Sequence, residues 1–238
     1  MISAFWKIWF ICFMFVCLLA YILLIICKVL LPKGAYRKVV YIFVRYWGRT
    51  TVLSTGSKVE VCGLDKLPYS QSICFISNHQ GMFDIPLFLG FIGRPGGFIA
   101  KKELFKIPVL SWWMKEIPCV FIDRSSARKA IETFQKSAEV IKAGHPMVIF
   151  PEGTRSQSDM MGDFHLGSFK LPAMAEATIV PLVIKNTWRV YETDKQIKPA
   201  ELKMRVLEPI EPHDTIYKDK HALAEEIYNR IKTALAEM

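Results

Sequence analysis

The chain has 238 residues, and its 31 Lys or Arg residues against 22 Asp or Glu residues give a net charge of +9. The first acidic residue is Glu60, and residues 1–59 hold eight basic residues, so residues 60–238, with 23 basic and 22 acidic residues, are nearly neutral. A nucleic-acid-binding protein carries its positive charge on the folded domain, so this distribution excludes that class and favours attraction to a membrane surface.

The first predicted element is an apolar helix over residues 8–27, a stretch of 20 residues without a charge. A helix of this length spans about 30 Å, the thickness of the hydrocarbon core of a bilayer. The stretch exceeds the apolar part of a cleaved signal peptide, and no small-x-small site follows it. One lysine precedes the segment and four basic residues follow it within eleven positions. The positive-inside rule therefore places the rest of the chain on the cytoplasmic side.

A second helix is predicted from about residue 35 to residue 53, where apolar residues alternate with Arg37, Lys38, Arg45 and Arg49. This pattern is typical of a helix in the headgroup region of a membrane. We expect residues 1–54 to form a membrane-embedded two-helix anchor and residues 55–238 a single domain. Two arrangements of this anchor in the membrane are compatible with the sequence. Residues 8–27 cross the whole bilayer, which their uncharged length favours, or both helices form a hairpin within one leaflet.

Residues 78–84, NHQGMFD, combine a histidine with an aspartate five positions later. The run before them is typical of a short buried strand, and Asp84 begins a predicted helix. Positions five apart do not share a helix face, so we expect His79 in the turn between the two elements. A carboxylate at the Nδ1 of a histidine fixes its tautomer, so the pair predicts a general base. The alternative is that Asp84 only caps the helix and His79 is a surface loop residue.

Three further strand-like runs end in polar residues, and these ends hold Lys101, Lys102, Asp123, Arg124, Glu152, Gly153, Thr154 and Arg155. Open α/β sheets bind ligands at the carboxyl ends of their strands, so we expect these residues to form a basic pocket for a phosphate. The planar guanidinium of Arg155 suits phosphate, and Glu152 is expected to accept hydrogen bonds from substrate hydroxyls or to orient Arg155. The alternative is a loop ion pair between Glu152 and Arg155.

Helical periodicity runs from Ser125 to Ala143 and from about Lys220 to Glu237. These helices alternate with short apolar runs that are typical of strands, so the predicted fold class is α/β. The six cysteines show no pairing pattern, and the spacing of cysteine and histidine residues does not indicate a metal site.

Four motifs resemble those of the glycerolipid acyltransferase family and follow the family's order. Residues 78–84 resemble its NHxxxxD box, and residues 101–104 with 120–124 resemble its second block. The third block matches residues 150–155, FPEGTR, and the fourth resembles residues 169–170 with 179–182. The resemblance covers roughly residues 55–210. The chain departs from the family at Pro172, where glycine is frequent, and at Pro118-Cys119, where Gly-Ala is usual.

The resemblance implies a mixed sheet flanked by helices, with residues 55–238 as the catalytic domain. It implies that His79, oriented by Asp84, deprotonates the sn-2 hydroxyl of lysophosphatidate, which attacks an acyl thioester of coenzyme A or acyl-carrier protein and gives phosphatidic acid. No cofactor or metal is expected, and membrane phospholipids are expected partners. The implied substrate-binding residues are Asn78, Lys101, Lys102, Arg124, Glu152, Gly153, Thr154, Arg155 and Lys170.

Other functions are open to the sequence. The same base and thioester chemistry would serve a different lyso-lipid acceptor, and a non-catalytic, membrane-anchored lipid-binding protein is a further alternative. A thioesterase would leave the basic cluster without a role. The chain has no Gly-x-Ser-x-Gly nucleophile motif, and we interpret Ser77 as a cap at the strand end rather than a nucleophile.

Overall fold

The computed structural model describes residues 2–70, 72–94, 96–122 and 127–238. The strands within these residues are β1 (Lys58–Cys62), β2 (Ile73–Ser77), β3 (Gly97–Lys101), β4 (Val120–Ile122), β5 (Met147–Ile149), β6 (Thr178–Lys185) and β7 (Glu201–Val206). The α-helices are α1 (Ile2–Leu30), α2 (Lys33–Leu53), α3 (Asp84–Phe91), α4 (Leu110–Glu116), α5 (Ala127–Lys142), α6 (Lys170–Ala175) and α7 (Lys220–Glu237).

The strands form one mixed sheet in the order β1-β7-β6-β2-β5-β3-β4. Strands β6, β2, β5, β3 and β4 are parallel, whereas β7 runs antiparallel to β6 and pairs in parallel with β1. Every residue of β2 is buried, as expected for a central parallel strand with both faces covered. The predicted α/β class with a mixed sheet is confirmed, and the carboxyl ends of the parallel strands lie along one edge.

Helices cover both faces of this sheet. Phe75 of β2 packs in a core with Phe88 of α3 and with residues of α2, whereas its neighbour Ile76 packs on the other face with Ile141 of α5 and Ile227 of α7. Successive side chains of a strand point to opposite faces, so one short strand contributes to both cores.

Most predicted elements occur near their predicted bounds. The apolar helix of residues 8–27 lies within α1, the helix predicted from about residue 35 is α2, and the C-terminal helix is α7. The start predicted at Ser125 for α5 lies outside the described residues. β7, α4 and α6 were not predicted, because their six or seven residues carry little periodicity.

Helix α1 lies against the domain over most of its length. Its hydrogen bonds and ion pair run from its first turn to its last, and they join Ser3 to Ile197, Trp6 to Ser54, Cys17 to Trp113 and Lys28 to Glu116. Residues Ser3–Leu30 are long and apolar enough to cross a membrane by length and composition. The contacts place this helix alongside the folded chain.

The side of α1 that faces away from the domain is an apolar stripe. Its members recur at helical spacing and are each at least 48% exposed: Ile8, Ile11, Phe15, Leu19, Ile22, Ile26 and Val29. A continuous exposed apolar surface of this size is unusual for a soluble protein and marks a contact with a membrane or a partner.

Helix α2 belongs to the core of the domain. Val40, Val44 and Val52 are buried against the sheet. A Cβ added at Gly48 would lie 2.6 Å from the backbone nitrogen of Gly90, so the backbones of α2 and α3 touch at these two glycines. The predicted anchor of residues 1–54 therefore shares its packing with the predicted domain of residues 55–238.

We expect Gly48→Ala to destabilise the protein by about 1–3 kcal/mol or more, because the added methyl group must push two backbones apart. Gly34→Ala, in the same helix, is the control, since a Cβ there meets nothing within 4 Å. Its free energy of unfolding should stay the same or rise by roughly 0.4–1 kcal/mol. Denaturant unfolding in one detergent measures both. Equal stability of the two variants would contradict the close approach of α2 and α3.

Candidate active site

His79 and Asp84 meet at the carboxyl end of β2. His79 lies in the loop before α3, as predicted, and Asp84 is the first residue of that helix. The Nδ1 of His79 is 2.6 Å from the Oδ2 of Asp84. The histidine side chain is 16% exposed, whereas the aspartate side chain is fully buried. The N-cap of α3 is Phe83, so Asp84 does not serve as the cap of its own helix.

The buried carboxylate of Asp84 accepts hydrogen bonds at both oxygens. Oδ2 accepts from the backbone N–H groups of Gln80 at 2.7 Å and Gly81 at 3.0 Å, in addition to its contact with His79. Oδ1 accepts from the hydroxyl of Thr187, which follows β6. A buried charge is tolerated when it is hydrogen-bonded in this way. The carboxylate is thereby held at a fixed position under the imidazole.

The imidazole of His79 is also held by Phe150 and by the backbone. The two rings stack with centroids 4.0 Å apart and planes inclined by 15°. The backbone N–H of His79 donates to Oε1 of Glu152 at 2.7 Å, and its carbonyl accepts from the N–H of Ser156 at 2.8 Å. The FPEGTR segment therefore packs directly against the histidine loop.

Glu152 joins two loops. Its Oε1 accepts from His79 and its Oε2 accepts from the backbone N–H of Gly162 at 2.8 Å, and the residue is 5% exposed. Burial raises the pKa of Glu152, while the hydrogen bonds from Gly162 and His79 act against that shift. Both carboxylate oxygens thus serve the protein backbone. The contact of Glu152 with a substrate hydroxyl stays a prediction, and neither oxygen is hydrogen-bonded to Arg155.

Arg155 pairs with Glu192 instead. Its Nη1 lies 3.0 Å from Oε1 of Glu192, and the two side chains are 43% and 1% exposed. The same Oε1 accepts from the backbone N–H of Met82 at 2.8 Å, whereas Oε2 has no hydrogen-bond partner among the described residues. The carboxylate also abuts Gly81, where an added Cβ would lie 2.8 Å from Oε2. Glu192 thus links the arginine to the histidine loop.

Asn78 is a bridge between two strands. Its Nδ2 donates to the carbonyl of Ile184 at 2.8 Å, and its Oδ1 accepts from the N–H of the same residue at 2.9 Å. The asparagine is 1% exposed. Asn78 therefore joins β2 to β6, and its contact with substrate stays a prediction.

The other predicted binding residues lie at different distances from His79. Thr154 is exposed beside Arg155, and Gly153 has a φ of 68°, where an added Cβ would lie 3.2 Å from the ring of His165. Lys101 and Lys102 are exposed at the end of β3, two strands and thus about 10 Å from β2.

Arg124 and Lys170 complete the predicted binding residues. Arg124 lies outside the described residues. Lys170 is exposed at the start of α6, and none of the hydrogen bonds or ion pairs of the described residues joins it to His79 or Arg155.

The segment after β6 supplies residues that sequence analysis missed. Besides Thr187 and Glu192, it contains Trp188 and Arg189, which donate to the carboxylate of Asp159 at 3.0 and 2.9 Å. Burial by itself would raise the pKa of Asp159, but the hydrogen bonds from these two residues outweigh it and lower the pKa. The fourth family motif ends at residue 182, and the sequence contains no recognised motif in the residues that follow it.

The described residues include no group of three or more His, Cys, Asp or Glu side chains that could hold a metal ion. What they do present is a histidine with a fixed tautomer beside a half-exposed arginine. This arrangement suits proton transfer at Nε2 of His79, next to a group that binds an anion.

A family model described as Acyltransferase matches residues 58–185. A chloroplastic 1-acyl-sn-glycerol-3-phosphate acyltransferase of Brassica napus is 30% identical over 212 residues, which cover 84% of this chain and 60% of that protein. The enzyme of the same name from Saccharomyces cerevisiae is 34% identical over 78% of this chain and 62% of its own length. A probable 1-acyl-sn-glycerol-3-phosphate acyltransferase of Mycoplasma pneumoniae is 30% identical, with 73% of its length covered. The chain thus spans about three fifths of the first two relatives.

The fold is similar to a solved structure. The crystal structure of the 1-acyl-sn-glycerophosphate acyltransferase of Thermotoga maritima superposes with a TM-score of 0.87 at 24% identity, and the match covers 99% of this chain and 94% of that one. The match includes α1 and α2, so the packing of these helices on the sheet belongs to the shared fold.

We expect Thr187→Val to destabilise the protein by about 1–3 kcal/mol, because Oδ1 of buried Asp84 loses its hydroxyl donor while the side-chain volume is kept. Thr187→Ser retains the hydroxyl, so its loss of stability should be clearly smaller. Denaturant unfolding of the two variants in the same detergent compares them. If the serine and valine variants lose the same stability, the loss comes from packing and not from the hydrogen bond to Asp84.

Proposed function

This chain belongs to the acyltransferase family, and we propose that it transfers a fatty acyl group from an acyl thioester to the sn-2 hydroxyl of 1-acyl-glycerol-3-phosphate, forming phosphatidic acid. The observation that carries the proposal is the 2.6 Å contact between Nδ1 of His79 and the buried carboxylate of Asp84. The relatives from Brassica napus and Saccharomyces cerevisiae are 1-acyl-sn-glycerol-3-phosphate acyltransferases, which supports the substrate class.

In the proposed reaction His79 is the general base. Because Nδ1 is held by Asp84, Nε2 is the ring atom that takes the proton from the sn-2 hydroxyl as its oxygen attacks the thioester carbonyl. The tetrahedral intermediate then collapses, the carbon–sulfur bond breaks, and the proton passes from His79 to the departing thiolate. Asp84 keeps the tautomer and stabilises the imidazolium between these two transfers.

Arg155 is the proposed contact for the phosphate of the acceptor. Its guanidinium has five N–H donors, of which Nη1 is directed at Glu192, and the side chain is 43% exposed. A guanidinium that is held by an ion pair at Nη1 and keeps other N–H groups accessible suits bidentate binding of a phosphate. The exposed lysines at the end of β3 are a second source of positive charge along the same edge.

The proposed location is one leaflet of a membrane, with α1 and α2 as a hairpin and the sheet on the cytoplasmic side. The apolar stripe of α1 supports it, as does the outward side of α2, where Lys38, Arg45 and Arg49 alternate with exposed Ile42 and Tyr46. Basic residues among apolar ones are typical of a helix at an anionic lipid surface. The contacts of α1 along the domain support the hairpin over the full span.

The acyl donor and the acceptor headgroup are defined here only by class. Acyl-coenzyme A and acyl-carrier protein present the same thioester, and a different lyso-lipid presents the same kind of hydroxyl. A matrix of both donors against lysophosphatidate and neutral lyso-lipids, with chromatographic identification of the product, tests the proposed function. Formation of phosphatidic acid supports it, and acylation of other acceptors alone would contradict it.

We expect His79→Ala to lower the acyl transfer rate by roughly 10²–10⁴-fold, because a weakly acidic hydroxyl depends on general-base assistance. Asp84→Asn should also lose much of the rate, because it no longer fixes the tautomer of His79. Binding of lysophosphatidate should change little in the histidine variant, and an exposed residue of α7 provides the control as Glu225→Gln. Turnover near the wild-type rate in His79→Ala would rule out the mechanism.

We expect Arg155→Ala to raise the KM for lysophosphatidate by about 10–100-fold with a smaller change in kcat, since a charged hydrogen bond is worth roughly 1.5–3 kcal/mol in ground and transition state alike. Arg155→Lys should recover only part of this loss. Glu192→Gln should raise the same KM through release of Arg155, with Glu225→Gln again as the control. A raised KM for the donor alone would assign Arg155 to the phosphates of the thioester carrier.

We expect the combined change Lys38→Glu, Arg45→Glu and Arg49→Glu to slow acyl transfer on anionic vesicles more than on neutral ones, because each basic residue contributes on the order of 1 kcal/mol at an anionic surface. The matched control reverses Lys142, Lys218 and Lys232, which are exposed in or beside the helices of the opposite face of the sheet. Equal losses in the two triple variants would exclude a specific role for α2 at the membrane.

A further inference from the structure

Large apolar side chains are exposed on the stretch of chain that runs from the end of β3 into α4. Phe105 is 52% exposed, Ile107 46% and Trp112 37%, and Pro108 is exposed between them. A group of large apolar residues at the surface within eight positions marks an interaction site more often than a single exposed residue does. None of these side chains belongs to the site around His79.

This surface adjoins the side of α1 that faces the domain. The ring of Tyr21 lies 5.5 Å from the ring of Trp112 and 5.6 Å from that of Trp113, centroid to centroid. The indole nitrogen of Trp113 donates to the carbonyl of Cys17 at 3.2 Å. Trp112 therefore stands beside the middle of α1, and Phe105 and Ile107 precede it in the chain, with the ring of Phe105 5.3 Å from that of Phe121 in β4.

The charges around the segment favour a lipid surface over a protein partner. Lys101, Lys106 and Lys115 are exposed, and the ammonium of Lys115 lies 4.4 Å from the ring centroid of Phe105. The nearby carboxylate of Glu116 accepts from Lys28 at 2.9 Å and from the hydroxyl of Tyr36 at 2.7 Å. Apart from the exposed carboxylate of Glu103, the side chains available to a ligand are thus aromatic, aliphatic and cationic, a composition typical of a membrane interface with anionic lipids.

We propose that residues 104–112 are a second membrane-contacting element, inserted into the headgroup region of an anionic bilayer beside α1. This inference rests on the proposed attachment of α1 to a membrane. Phe105, Ile107 and Trp112 enter the boundary between headgroups and acyl chains, while Lys101, Lys106 and Lys115 remain at the phosphates, as long basic side chains do at such a boundary.

The second contact fixes the orientation of the catalytic sheet. Lys101 ends β3, and the apolar segment begins three residues later, so the edge of the sheet that also carries His79 is held close to the lipid surface. A hairpin alone leaves the domain free to rotate about one line of contact. Two separate contacts, α1 and residues 104–112, fix how the domain is tilted against the bilayer. The acceptor lipid then reaches the site without leaving the bilayer.

Photocrosslinking in the full-length protein tests the proposal. The photoreactive residue p-benzoylphenylalanine replaces Phe105 or Ile107, and the protein is reconstituted in vesicles that contain phosphatidylglycerol. Replacement of Ile11 on the outward stripe of α1, 69% exposed, is the positive control. Replacement of Ile131 in α5, 38% exposed on the opposite face of the sheet, is the negative control.

We expect lipid adducts at positions 105 and 107 at about ten times the yield of position 131, because a side chain in the interface touches lipid and a solvated one does not. Lipid adducts at position 11 together with the background yield at 105 and 107 would overturn the proposal, as would adducts to a second copy of the chain. Crosslinking does not depend on catalysis. The membrane contact can therefore be tested even if the protein does not acylate lysophosphatidate.

Discussion

The carboxylate of Asp84 is the constraint on which the site depends. A fully buried charge must be hydrogen-bonded, and its donors come from three places in the chain: the imidazole of His79, the N–H groups of the following turn, and the hydroxyl of Thr187 after β6. These elements can meet only if β6 lies beside β2, which the strand order provides. The bridge from Asn78 to Ile184 ties the same two strands. The sheet and the pair of His79 and Asp84 therefore depend on each other.

The packing of α2 against α3 extends this constraint to the membrane surface. Gly48 and Gly90 allow the two backbones to touch, and α3 begins with Asp84. Phe83, one residue earlier, lies with its ring 6.2 Å from that of Trp6 in α1. The helices that face the proposed bilayer and the residue that orients the base thus belong to one packed body. A site that acts on a membrane lipid gains from this arrangement, because its distance from the headgroups is fixed by core packing.

The charged residues near the base form pairs that leave part of each cation accessible. Glu192 is almost completely buried and holds both Met82 and one nitrogen of Arg155, and Asp159 holds Trp188 and Arg189 in the neighbouring segment. The buried carboxylate of Glu192 holds Arg155 and the partly exposed carboxylate of Asp159 holds Arg189, so less side-chain entropy would be lost on binding the proposed phosphate. The positive edge of the sheet is therefore organised before a substrate arrives.

The sequence by itself determined the apolar and amphipathic helices, the central strands, and the placement of His79 in a turn before Asp84, because each rests on local periodicity or on geometry over five residues. It also indicated that polar strand ends would share one edge of a parallel sheet. It did not indicate Thr187 or Glu192, nor the backbone hydrogen bonds of Asn78 and Glu152, whose contact with substrate stays a prediction. Only the tertiary structure decided these partners, because the donor or acceptor of a buried polar group lies up to about a hundred residues away, as from Asn78 to Ile184. It also decided that α1 lies along the domain, because hydropathy records the length of an apolar helix and not the surface against which it packs.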